Sequence, residues 1–167
     1  MANSIFLGSE VIKYNIVIPP TTIVGTNPGQ LSAEDGLQLV PDVHPNYILE
    51  LISAIAIMNF GGEAYDVTDL TKVAIFYTGD DLLSDDSIYF LDGATTPITA
   101  IALLGSASRQ VYIFNNPFVE IPLLPDKVGK GFSIGLINGG AWGTMVNPGL
   151  ATGSLELRLS YLKHFIG

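Results

Sequence analysis

Residues 154–163 alternate along most of their length. Leu155, Leu157, Leu159 and Tyr161 fall on one side, and Ser154, Glu156, Arg158 and Ser160 on the other. A period of two belongs to a strand with one buried and one solvated face. A strand this late in the chain needs neighbours among the earlier segments, so the fold cannot close without it.

The earlier segments supply candidates. Residues 11–18 are rich in β-branched side chains and stop at Pro19-Pro20, which reads as a strand. Residues 37–40 read as a short strand, and a weak helical turn fits 32–37. Further strands are expected at 72–77, 87–91, 98–104, 110–114, 118–124, 131–137 and 155–164. Between them lie turn residues such as Asn27-Pro28-Gly29, Gly79-Asp80, Asp92-Gly93, Pro125-Asp126 and Asn147-Pro148-Gly149. Residues 47–60 are apolar on both alternating faces, which suits a helix or a strand covered on both sides. Their Ile content and the closing pair Gly61-Gly62, a hairpin signal, favour the strand. Short strands at regular spacing, with no recurring helical stretch, predict an all-β fold. The expected form is a jelly-roll-like antiparallel β-sandwich over residues 46–167, with residues 1–45 as an extended N-terminal arm carrying one strand.

Composition narrows the function. Of 167 residues, 48% are hydrophobic and 14% charged, and the net charge is −9. Nucleic acid and anionic lipid both demand a basic face, so neither is expected as a partner. No run approaches the length of a membrane-spanning helix, and the first twenty residues lack the pattern of a signal peptide. Cysteine is absent, which removes disulfides, thiolate metal sites and a cysteine nucleophile. So little charge implies broad surface committed to neighbours.

Residues for catalysis are scarce. His44 and His164 are the only histidines and lie far apart in the chain. No nucleophile elbow or phosphate loop is present. No enzyme activity and no cofactor are expected. Asp80, Asp81, Asp85 and Asp86 form the densest acidic run, but their spacing is not that of an EF-hand, and a solvated turn is the expectation. Trp142 sits among Gly139, Gly140 and Gly143. It is open to three readings: part of a flexible connection, a contact anchor, or a sugar-stacking platform. Ile5, Phe6 and Leu7 near one end and Phe165 near the other are apolar. With Trp142 they are the candidate interface residues.

The stretches 118–124 (FVEIPLL), 132–138 (FSIGLIN) and 148–161 (PGLATGSLELRLSY), together with 48–65, resemble small virion proteins of tailed bacteriophages. The resemblance spans roughly residues 46–164 and rests on strand alternation and turn residues. It implies a jelly-roll structural protein of the virion, a capsid decoration or cement subunit, commonly a homotrimer bound to the major capsid protein. It carries no catalytic residues. The alternatives left open are a tail, baseplate or head-fibre component, and a carbohydrate-binding β-sandwich.

Overall fold

The computed structural model describes residues 10–25, 27–33, 35–67, 71–79, 100–115, 125–138, 141–142, 145–146 and 151–167. In chain order the elements are β1 (Glu10–Ile18), α1 (Pro20–Ile23), β2 (Leu37–Val40), β3 (Tyr47–Asn59), β4 (Asp66–Val67) and β5 (Thr71–Tyr77). There follow α2 (Ala100–Leu103), β6 (Gln110–Asn115), β7 (Phe132–Asn138), β8 (Ala141–Trp142), β9 (Met145–Val146) and β10 (Ser154–Phe165). The fold is all-β. A front sheet runs β1-β10-β3-β6, and a back sheet runs β2-β7-β5 with β8 paired to β7. Every pairing is antiparallel, including the small β4-β9 ribbon.

The pairings are nested. The first strand pairs with the last, β2 with β7, and β3 with β6. The described chain therefore alternates between sheets, as a long hairpin does when folded over on itself. β1 and β2 lie before residue 46, yet β1 belongs to the front sheet and β2 to the back one. β10 sits between β1 and β3, where its alternation predicts a one-sided strand. Leu155, Leu157 and Leu159 are almost fully buried, whereas Arg158 is exposed.

One core fills the space between the sheets. Leu49, Leu51, Ala54, Ala56 and Met58 of β3 meet Val73, Ile75 and Tyr77 of β5 and Phe132, Ile134 and Leu136 of β7. The parity along β3 changes between Leu51 and Ala54. Opposite β10 the register slips there: Tyr161 faces Leu51 and Ser160 faces Ser53, which leaves Ile52 as an extra residue. A bulge of this kind swaps the faces of everything beyond it. It explains why residues 47–60 are apolar at both parities while only one face at a time enters the core. A second cluster, Ala74, Phe76 and Ile137, lies on the other side of the back sheet.

Several local expectations are corrected. Residues 100–103, expected within a strand at 98–104, form the helical turn α2. Leu103 and Leu104 are fully buried there, so packing overrides a weak strand preference. Among the described residues of 32–37 no helix forms. The helical turn lies instead at α1, where Pro20 supplies a φ suited to a first helical position. Gly61-Gly62 closes β3 but makes no hairpin, because β3 pairs with β10 and β6. Gly61 passes so close to the chain that a Cβ would lie 2.4 Å from the Thr152 carbonyl carbon. The expected strands at 87–91 and 118–124 lie outside the described residues.

Candidate interaction surface

The outer face of the front sheet follows from register. Across the sheet, Val17 of β1 stands opposite Glu156, Glu156 opposite Ile57, and Ile57 opposite Val111. The next row reads Asn15, Arg158, Ile55 and Ile113, and the row beyond it Lys13, Ser160, Ser53 and Asn115. The β3 and β6 columns thus place Ile55, Ile57, Val111 and Ile113 side by side, with no charge among them. Val111 is 47% exposed and Ile113 64% exposed, while Val17 on the opposite border is 57% exposed. β-branched pairs directly opposite one another stabilise a sheet; here Ile57 is buried at 4% exposure, Ile55 is partly buried, and Val111 and Ile113 are left to water.

The charge on this face lies on β1, as Lys13, and on β10, as Glu156 and Arg158. Arg158 Nε donates to Glu156 Oε1 at 2.7 Å, so the two largely neutralise each other. Beside them, Lys13, Asn15, Ile55, Arg158 and Ser160 line a shallow depression of about 310 Å3. The face as a whole is broad, weakly charged and apolar toward the β6 border.

Of the candidate interface residues, the described ones, Trp142 and Phe165, lie apart from this block. Ile5, Phe6 and Leu7 lie outside the described residues. Trp142 belongs to β8, opposite Ile137 in register, on the other sheet. Phe165 ends β10 opposite Tyr47, and the two rings meet edge to face at 5.4 Å. Lys163 Nζ lies 4.1 Å from the centroid of the same Tyr47 ring, a cation–π contact. Phe165 and Ile166 remain about half exposed, so they form a separate, smaller apolar point at the far end of the sheet. The reading of the sequence missed Ile55, Ile57, Val111 and Ile113. A signal for them exists in Gln110-Val111-Tyr112-Ile113-Phe114-Asn115, an uncharged strand with β-branched residues at alternate positions.

The remaining polar constellations are structural. Asp42 Oδ1 accepts from Thr78 Oγ1 and from the Gly131 N–H at 2.9 Å. The Thr78 hydroxyl, then the Gly131 amide and Lys130, hold the Asp42 carboxyl below its usual range against the opposing effect of burial. Lys127 is buried and paired with Asp126 at 3.1 Å. The Tyr65 hydroxyl donates to the Gly153 carbonyl, and burial pushes its phenol up to about 12. Tyr161 is raised as well, first by burial and then by Tyr14. His44 is exposed and accepts from the Asn46 N–H, while His164 Nε2 lies 2.7 Å from Glu50 Oε2. The acidic run from Asp80 to Asp86 lies outside the described residues. Among the described residues no group of three or more His, Cys, Asp or Glu side chains is placed to hold a metal ion. Comparison with known proteins finds no match: no family model fits the chain, and no curated protein and no solved structure aligns with it significantly.

Proposed function

We propose that the protein is a structural subunit that works by surface contact, and specifically a decoration or cement subunit of a tailed-phage head. The observation that carries the contact reading is the outer face of the front sheet, where Val111 and Ile113 stand exposed beside Ile55 with no charge among them, on a chain of net charge −9. An acidic protein kept soluble by its charge meets partners best where charge is absent, and interface cores are depleted in charged residues. The nested pairings support a jelly-roll form of the sandwich, since that wrapping of a long hairpin is what two linked Greek keys produce. The virion assignment itself rests on the resemblance of residues 46–164, which also supplies the major capsid protein as partner and the virion as location.

Quantitative mass spectrometry of purified phage particles that carry the chain tests this reading. A copy number comparable with that of the major shell protein is expected. A number far smaller moves the chain to a tail, baseplate or fibre, and its absence from particles overturns the virion reading altogether.

A further inference from the structure

We infer that the depression on the outer face of the front sheet is a binding site for an organic carboxylate, a monoanion on a short apolar stem. Its two cations come from neighbouring strands. Lys13 of β1 stands opposite Ser160, and Arg158 of β10 stands opposite Asn15, so the two are diagonal neighbours on one face. Such neighbours lie about 7–8 Å apart, close enough for two long side chains to serve one small anion. Both line the depression. Asn15 and Ser160 complete the square, and Ile55 of β3 adjoins it.

Most of the donors there are unused. Arg158 gives its Nε–H to Glu156. A guanidinium carries five N–H groups in a planar fork, so its two terminal nitrogens keep an edge that matches the two oxygens of a carboxylate. The Lys13 ammonium, the Asn15 amide and the Ser160 hydroxyl have no hydrogen-bonding or ionic partner among the described residues. Charge then selects the valence of the ligand. Two cations, Lys13 and Arg158, and one carboxylate, Glu156, leave a local charge of +1 on a chain of net charge −9. Glu50, the next acid on this face, is engaged by His164 and does not line the depression. One positive charge balances a monoanion, whereas a sulfate or phosphate dianion meets the Glu156 carboxylate and the negative field of the whole chain. Ile55 favours an organic anion over chloride, because it gives an apolar stem a surface to cover. At about 310 Å3 the depression is near the small end for ligand sites, which suits a short stem. The inference does not depend on the virion assignment.

The amide shifts of Asn15, Arg158 and Ser160, followed by two-dimensional NMR at constant ionic strength, test it. Sodium butyrate should give shifts that saturate with a Kd on the order of millimolar, as expected of charge contacts screened by water. Sodium sulfate and sodium chloride should give none that saturate. Arg158→Gln should weaken butyrate binding by about tenfold or more, and Ile55→Ala by about threefold. Glu156→Gln raises the local charge to +2, so it should tighten butyrate and admit sulfate. Circular dichroism checks that each variant folds. The amide of N-acetylglutamate carries the same carboxylate as a protein would present it. Tighter binding of that probe marks a protein-borne carboxylate as the occupant, and tighter binding of butyrate a free acid. No saturable shift with either probe, sulfate matching butyrate on the parent chain, or an Arg158→Gln chain that binds as the parent does overturns the inference.

Discussion

Strands β1 and β6 border the same sheet, each with a single neighbour among the described strands, and each exposes β-branched side chains on the outer face. They differ in what else that face carries. β1 brings Lys13 and Asn15 and runs into Pro19-Pro20, so a foreign strand laid against it meets charge and then loses an amide donor. β6 has nothing comparable. The difference teaches that burial and pairing do not decide which border of a sandwich is sociable. Two or three polar residues at outward positions do, at almost no cost to the fold.

That claim requires stability to reside in the middle of the sheet, and the largest effect expected tests it. Leu157 lies on β10 between β1 and β3 and is 1% exposed within the central core. Leu157→Ala should cost about 2–5 kcal/mol through lost burial and the cavity left behind. Val17→Ala and Val111→Ala on the two borders should each stay within about 0.5 kcal/mol. Urea denaturation measures all three. A border substitution as costly as the central one would mean that the borders are part of the core.

The second test turns one border into the other. Lys13 stands opposite Ser160, flanked on its face by Val11 and Asn15. Lys13→Ile removes the charge that guards β1 and should create a self-association, seen in sedimentation as species larger than those of the parent chain. If the variant sediments as the parent does, lysine is not what keeps β1 alone.

Much of this architecture is legible in the sequence, for a definite reason. β1, β5, β6, β7 and β10 are runs of β-branched, aromatic or alternating residues closed by Pro, Gly or Asn, where local preference and tertiary environment agree. Residues 47–60 resist periodicity because the bulge at Ile52 reverses the faces midway, and a bulge depends on the partner strand rather than on the strand itself. α2 is hidden for a similar reason, since Leu103 and Leu104 are chosen by the core they fill. The surface was less legible than the fold. Phe165 is apolar near one end of the chain, but its ring rests against Tyr47. Ile55 and Ile113 become a patch only when register sets them side by side.

A third border sharpens the comparison at a smaller scale. β2 edges the back sheet among the described strands, and just beyond it Asp42 ties the chain to Thr78 and Gly131. Here a charge fastens an edge instead of guarding it. The site is tight: a Cβ on Gly131 would lie 2.0 Å from the Val40 carbonyl oxygen. Asp42→Ala should cost about 1 kcal/mol at neutral pH, the modest end for a hydrogen-bonded carboxylate because this one faces solvent. Since folding lowers the Asp42 pKa, its contribution is complete above the ordinary value of 3.8 and fades as the pH falls through the folded value. Parent and variant stabilities should therefore converge in acid. A difference that persists there assigns the loss to packing rather than to the carboxylate.

The smallest effect expected lies inside the front sheet, on β10 next to the β1 border. Arg158 and Glu156 sit two residues apart on the outer face of β10, joined at 2.7 Å, with side chains 55% and 18% exposed. An ion pair in this setting is screened by water and contributes about 0.2–1 kcal/mol. A double-mutant cycle of Arg158→Ala and Glu156→Ala should give a coupling in that range, shrinking as salt is added. The cycle also reports on the state of the face. A coupling that grows with protein concentration would mean that the pair loses water when copies meet. A contact between copies would then take in β10 as well as the uncharged residues of β6.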